Sequence, residues 1–342
     1  MQQIIHADKN IHSVFDEIER LYTFVSDRDR PATIANLTVF PRSFEKTYIL
    51  LQEYGNVKYG VDFSVRCYDK LKIDTYPTKN IIVCFSGGKD SVATVLHYQK
   101  LGYDVVIYHL KGINQTYKDE WKSAQRLAEK LGCKYVQDEV QLSGSHDWIE
   151  HPLKNMIIAS RALQWGIKNK FSTKIAFGNY STSSVIDDPF EVCGGDDKET
   201  WRAYEAIIKT VLPKFKIYTP LRNIQSSFTA LEKHSELLPD ILSCIGPYRY
   251  REYLHENNEK KYGIKLLPHR CGSCWKCAVE YIYYTDHDVL EYNKEYYKHC
   301  IDVLRQTIKN ETGVCIKNEQ TVWEQYLFYA VQKSKYFNCN FE

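Results

Sequence analysis

Six consecutive residues, Ser86-Gly-Gly-Lys-Asp-Ser91, carry the first chemistry visible in the chain. Adjacent Gly87 and Gly88 allow a sharp turn and let a ligand approach the backbone closely. A helix starting just beyond them would aim successive N–H groups and its positive end at one spot, which suits a phosphate or pyrophosphate. Lys89 adds a movable positive charge, and Ser86 and Ser91 add hydroxyl donors. Asp90 can cap the helix or hold a magnesium ion. A glycine turn whose Ser and Asp only cap a helix has the same letters, so the flanking elements decide between the two. The loop is not the GxxxxGK[ST] of the common P-loop, because its single glycine pair is followed at once by the lysine. A second group, Cys271-Gly-Ser-Cys-Trp-Lys-Cys277, spaces three cysteines at intervals of three around a glycine. That spacing lets three thiolates converge on one ion, and a tetrahedral site needs one more ligand, for which Cys244 and His269 compete. Zinc, an iron–sulfur cluster and chance packing of free thiols are the open readings, with zinc preferred for a closed site.

The elements that must position these groups follow from periodicity. Ile81 to Phe85 is a continuous apolar run, which predicts a buried strand, and Ser91 to Leu101 predicts an amphipathic helix with Val92, Val95 and Leu96 on one side. Strands at Asp104–Tyr108, Lys134–Val136 and Lys174–Phe177 alternate with helices at Lys118–Leu131 and Pro152–Lys168. Short apolar strands separated by helices imply an α/β domain with a mainly parallel sheet and helices on both faces. Ligands of such sheets lie beyond the carboxyl ends of the strands, where Ser86 to Ser91 stand. The phosphate reading therefore prevails. Ahead of it, residues 1–78 read as an α+β extension, with a helix near Ile11–Phe24, β-prone text at Pro31–Phe40 and alternation at Tyr59–Ile73. Asp74–Asn80 is a linker. The organisation predicted is 1–78, a sheet domain at 79–225, and a smaller helical, Tyr-rich, cysteine-bearing lobe at 226–342.

The 342 residues suggest roughly two folding units at ~150 residues each, and a 44% hydrophobic content excludes disorder for most of the chain. Forty-five Lys and Arg nearly cancel 43 Asp and Glu, so any nucleic-acid contact must be local. No apolar run approaches the ~18 residues of a membrane span, and the N-terminus is charged throughout, so a soluble, cytoplasmic protein is expected. Eleven cysteines, an odd number, favour reduced thiols over a disulfide framework. Cys67, Cys84, Cys133, Cys300, Cys315 and Cys339 read mostly as packing residues, and Cys193 as incidental. Twenty-seven tyrosines are taken as covering half-buried surfaces, without functional weight.

SGGKDS after a first strand resembles the signature of the PP-loop ATP pyrophosphatases. Within that superfamily, residues 80–285 resemble the 7-cyano-7-deazaguanine synthase (QueC) family. Gly112, Gln115 and Glu120 follow the second strand as in the family, with Ile113 and Asn114 inserted. Pro152-Leu-Lys-Asn155 is similar to its Pro-x-Arg-Asn element, Gly178-Asn179 to its Gly-x-Asn, and Tyr218-Thr-Pro-Leu221 to its Pro-Leu. Ser243-Cys244 and the triple-cysteine run match its zinc element. The resemblance implies an adenine nucleotide alpha hydrolase-like (HUP-type) fold with a zinc-bearing helical lobe. It also implies ATP with Mg2+ at Ser86, Gly87, Gly88, Lys89, Asp90 and Ser91, and further nucleotide contacts from Lys154, Asn155 and Gly178. Lys89 and Asp90 would be the catalytic pair, and Zn2+ would sit on Cys244, Cys271, Cys274 and Cys277. The base of ATP would lie by Tyr108–Lys111. The family's Tyr-Pro-Asp-Cys-Arg stretch has no counterpart in Ser181–Asp197, its lysine after Pro-Leu is replaced by Ser226 and Ser227, and its His before the cysteines is Arg270.

The activity implied is adenylation of a carboxylate or amide oxygen with pyrophosphate release, followed by attack of ammonia or an amine. Its acid would be 7-carboxy-7-deazaguanine-like, in queuosine-type metabolism or nucleic-acid modification. The rivals are a ligase joining such an acid to a protein or nucleic-acid amine, a tRNA-thiolating PP-loop enzyme, and a zinc-stabilised nucleic-acid-binding module without catalysis. Oligomeric state, a homodimer among the options, stays open.

Overall fold

In the computed structural model, the described residues are 77–111, 120–139, 154–178, 205, 208–209, 212, 214–221, 224–244 and 248–312. The expected N-terminal extension therefore lies outside the described residues, except for Pro77 and Thr78. So do Gly112, Gln115, Cys67, Cys193, Cys315 and Cys339.

Among the described residues the sheet has five parallel strands in the order β3-β2-β1-β4-β5. They are β1 (Asn80–Cys84), β2 (Asp104–Lys111), β3 (Lys134–Glu139), β4 (Ile175–Ala176) and β5 (Ile217–Tyr218). In β1 every residue after Asn80 is buried, as a strand covered on both faces requires. Helix α1 (Lys89–Lys100) lies between β1 and β2, α2 (Glu120–Lys130) between β2 and β3, and α3 (Lys154–Lys168) between β3 and β4. Alternation along β1 decides which helix each side chain meets. Ile81, Val83 and Phe85 share one apolar cluster with Val92 and Val95 of α1 and Leu127 of α2. Ile82 points the other way, where its Cδ1 stands 2.6 Å from the place a Cβ on Gly166 of α3 would occupy. Helices thus cover both faces, as predicted.

The strands at Asp104 and Lys134 run three residues further than expected, to Lys111 and Glu139. Conversely, the strand expected at Lys174–Phe177 has only two laddered residues, and β5, ahead of the Pro220-Leu221 element that ends a strand in the family, is likewise two residues long. Periodicity alone does not register β5.

Beyond the sheet come α4 (Ile224–Glu232), a 3-10 turn (Ser235–Asp240), α5 (Tyr248–Tyr262), α6 (Trp275–Asp286) and α7 (Lys294–Thr312). Helix α4 packs against α1, and α6 against α7. Tyr281, Tyr283, Tyr284, Tyr296 and Tyr297 are buried in the same apolar cluster as β1 and α1. Their rings meet each other and Phe228: Tyr281 and Tyr296 are edge-on at 4.6 Å, and Phe228 and Tyr283 are stacked at 4.7 Å. These five tyrosines are core residues, more buried than the half-covered role expected, whereas Tyr250 and Tyr253 of α5 are exposed. No described helix is long and apolar enough to cross a membrane.

One backbone contact holds the two halves of the sheet domain together at its carboxyl end. Gly178, two residues past β4, lies against the start of α1, where an added Cβ would fall 2.6 Å from Asp90 C and 2.7 Å from Ser91 N. Backbone cannot yield as a flexible side chain can. Gly178→Ala should therefore destabilise the fold by about 1–3 kcal/mol, read as a lowered denaturant midpoint with an unchanged m-value. A midpoint equal to wild type would show that the contact is not tight.

Candidate functional site

The strand order reverses between β1 and β4: from β1 the chain moves outward through β2 to β3, then returns to the other side for β4 and β5. A crevice opens beyond the carboxyl ends of strands at such a switch point. Ser86–Asp90 leaves β1 at that point, and Gly178 closes against it from β4. Gly87 has φ +75°, a left-handed turn that glycine adopts without strain. Gly88 is the N-cap of α1 with no side-chain cap, and its carbonyl accepts the first helical bond from Val92 N–H at 3.1 Å. First-turn N–H groups have no partner inside a helix, so this uncapped start presents them to an anion together with the helix dipole. The donor set fits a pyrophosphate.

The side chains refine the expectation. Lys89, expected to be movable, is buried, its Nζ 2.6 Å from Asp90 Oδ1 and 5.4 Å from the Phe228 ring centroid. Burial lowers the Lys89 pKa, opposed by the Asp90 charge and hydrogen bond. Asp90 does not cap α1; its Oδ1 also accepts from Ser227 Oγ at 2.6 Å. With two donors on Oδ1, Asp90 anchors Lys89 and ties it to Ser227. Ser91 Oγ donates to Gly88 O at 2.8 Å, and Ser86 is exposed, accepting a long 3.4 Å bond from Gly88 N–H. Behind the loop, His109 Nδ1 donates to Phe85 O at 2.9 Å. Burial lowers the His109 pKa, opposed by that bond, and favours the neutral ring.

Not every expected contact gathers here. Tyr108, His109 and Leu110 are buried inside the sheet, and Tyr108 hydroxyl is spent on Asp138 Oδ2 at 2.7 Å. The base of a nucleotide therefore cannot lie against those three side chains; Lys111, the exposed end of the strand, pairs with Glu139. Asn155 is half-buried in the first turn of α3, and the Lys154 side chain lies outside the described residues. Ser227, noted only as a departure from the family pattern, is fully buried and directly behind the loop.

The second centre lies at the start of α6. Cys244, Cys271, Cys274 and Cys277 bring their Sγ atoms within 4.8 Å of one another. Individual separations are 3.9 Å for Cys244–Cys274, 3.9 Å for Cys271–Cys277 and 3.4 Å for Cys274–Cys277. A zinc ion with ~2.3 Å bonds to four thiolates needs sulfur separations of about 3.8 Å. The set fits one ion, whereas the four cysteines of a four-iron cluster must stand wider apart. His269 is exposed and outside the group. Sulfhydryl bonds from Cys271, Cys274 and Cys277 hold Cys244 far below the ordinary thiol range, while bonding to Cys244 raises Cys274 and Cys277. Only a shared cation lets all four become thiolates. Outer contacts fix the turn: Asn258 Nδ2 donates to Cys271 O at 2.9 Å and Ser273 Oγ at 2.8 Å, and Tyr296 hydroxyl donates to Gly272 O at 3.0 Å. Cys84, Cys133 and Cys300 stay apart from this group.

No protein-family model and no curated protein sequence matches the chain. Among solved structures, it is similar to a predicted subunit of tRNA methyltransferase from Methanocaldococcus jannaschii, with 21% identity, 45% of this chain and 74% of that one covered, and a TM-score of 0.28. It is also similar to NMN synthetase from Francisella tularensis, with 12% identity, 80% and 96% covered, and a TM-score of 0.36. Similarity this low decides neither fold nor activity; the strand order and the geometry of the loop stand on their own.

The cysteine geometry predicts one zinc per chain by elemental analysis. Cys274→Ser should weaken zinc binding by more than the ~10–100-fold that outer-contact changes cost and abolish cooperative melting. Cys133→Ser should keep both. Iron in place of zinc, or full zinc in Cys274→Ser, would contradict the assignment.

Proposed function

We propose that the chain is an ATP-dependent enzyme of the PP-loop type that adenylates an oxygen of a carboxylate or amide and releases pyrophosphate. The observation that carries this reading is the uncapped start of α1 at the switch point of the sheet, with Gly87, Gly88 and Gly178 keeping side chains out of the way. A carboxylate oxygen attacks the α-phosphorus and pyrophosphate leaves, giving an acyl-adenylate. Ammonia or an amine then attacks the acyl carbon, AMP leaves and an amide forms. A nitrile would require a second ATP to adenylate the amide oxygen, followed by loss of AMP.

Charge develops on the departing pyrophosphate, and a preorganised cation and N–H groups stabilise it there. Lys89, held by Asp90 and backed by Ser227, would take that role. An arriving polyphosphate would add negative charge to that which Asp90 already sets beside the buried ammonium. Magnesium, where bound with ATP, would supply further neutralisation of the phosphates. The cysteine site has four protein ligands and no open position, so its contribution is structural.

The residue pattern supports a 7-carboxy-7-deazaguanine-like acid as the substrate, with ammonia or a macromolecular amine as acceptor. Incubation with MgATP, that acid and ammonium should yield AMP, pyrophosphate and an amide or nitrile by intact mass. Lys89→Ala should lower kcat by about 2–4 kcal/mol of transition-state stabilisation and affect ATP affinity less. ADP with inorganic phosphate, or unchanged turnover in Lys89→Ala, would overturn the mechanism. AMP formation with an acid of another class would overturn only the substrate.

A further inference from the structure

Between the 3-10 turn and the first metal-ligating cysteine runs an extended segment, Ile241-Leu242-Ser243-Cys244, that crosses the phosphate loop. Leu242 N–H donates to Gly87 O at 2.9 Å. Its own carbonyl oxygen stands 3.4 Å from where a Cβ on Gly88 would be. In a planar trans peptide the carbonyl of one residue and the N–H of the next point in opposite directions. A bond that turns Gly87 C=O toward Leu242 therefore turns Gly88 N–H away from the segment. With no Cβ on either side, a Gly-Gly peptide flips at little steric cost, so hydrogen bonds set its orientation: the long 3.4 Å bond from Gly88 N–H to Ser86 Oγ inside the loop, and the shorter one from Leu242 N–H to Gly87 O outside it.

The segment is itself held from two ends. Cys244 joins the sulfur cluster. At the other end, Arg126 Nε and Lys130 Nζ each reach Asp240 at 2.8 Å, and Arg270 Nη1 donates to Ile241 O. Arg270 is 3% exposed, and its Nε and Nη2 meet the two oxygens of Glu280 in α6, the latter at 2.8 Å. Nη1 also reaches Pro268 O at 3.2 Å. A buried ion pair adds little net stability over an apolar pair of similar size, because desolvation consumes the attraction. Its planar fork instead fixes direction, and here it ties α6, the turn before Cys271 and Ile241 into one geometry.

We propose that Arg270 and Glu280 are a positioning pair for nucleotide binding, acting through Leu242 to fix the Gly87–Gly88 peptide in its phosphate-receiving orientation. The inference rests on the phosphate-loop reading above. Two variants separate it from a mere folding role. Arg270→Lys keeps a cation beside Glu280 but cannot span both of its oxygens and Ile241 O at once. Leu242→Pro removes the N–H itself, and Ile241, at φ −76° and ψ 133°, already has the backbone that a following proline demands. Zinc content, melting temperature and calorimetric affinity for inorganic pyrophosphate and for MgATP would be measured on the full chain. Both variants should keep one zinc per chain and cooperative melting while pyrophosphate and MgATP bind about tenfold more weakly, the loss of roughly one hydrogen bond's worth of orientation. Wild-type affinity in zinc-loaded variants would overturn the proposal, and so would loss of zinc from both, which would reduce the pair to a support of the cysteine site. Failure of the wild-type protein to bind pyrophosphate or MgATP would instead remove the phosphate-loop reading, and the positioning role with it.

Discussion

The arrangement depends on a backbone-to-backbone approach at the switch point of the sheet, where Gly178 comes against Asp90 and Ser91 with no room for a Cβ. The approach lets the β4 side close on the start of α1, leaving its first turn at the head of the crevice. Gly88 ends the loop without a side-chain cap, so the helix meets the crevice with its own N–H groups. Everything else at the site keeps that start in place. His109 holds the end of β1 through Phe85 O, Ser227 holds Asp90, and Leu242 holds Gly87.

Those supports also explain why a cysteine cluster without an open coordination position belongs in the same molecule. Ser227 comes from α4, whose Phe228 stacks on Tyr283 of α6, and Cys274 is the N-cap of α6. The tyrosine-rich core thus joins α6, which carries Cys277 and begins at Cys274, to the helix that backs the loop. An ion held by all four thiolates would fix the start of α6 and leave no open position for chemistry. Its mechanical neighbours, Arg270 and the segment ending in Cys244, lead directly to the glycines.

Much of this was legible in the residues because the physics there is local. Ile81–Cys84 is buried on both faces and so reads as an unbroken apolar run, and the glycine pair after it marks the turn. The triple-cysteine spacing needs no tertiary context to suggest a metal. Residues joined across long separations left no such mark. Ser227 bonds to Asp90 from 137 positions away, and Arg270 to Ile241 from 29. Their role depends on which helices meet. Lys89 reads as movable for a similar reason: burial beneath Phe228 is not visible in a hexapeptide, although its ion-pair partner Asp90 stands next to it there. β5 leaves no mark because period-2 alternation cannot show in two residues, and the burial of the tyrosines leaves none because composition says nothing of where rings stack.

The central claim is that the uncapped start of α1 receives the β- and γ-phosphates, so that the α–β bond of ATP is the one broken. Isotope exchange between labelled pyrophosphate and ATP tests this directly, since reversal of adenylation requires pyrophosphate to re-enter that site. The account predicts label appearing in ATP when a carboxylic-acid substrate is present and ammonia is withheld, with the exchange lost in Gly88→Val. Exchange of labelled inorganic phosphate or ADP into ATP, in place of pyrophosphate, would contradict it.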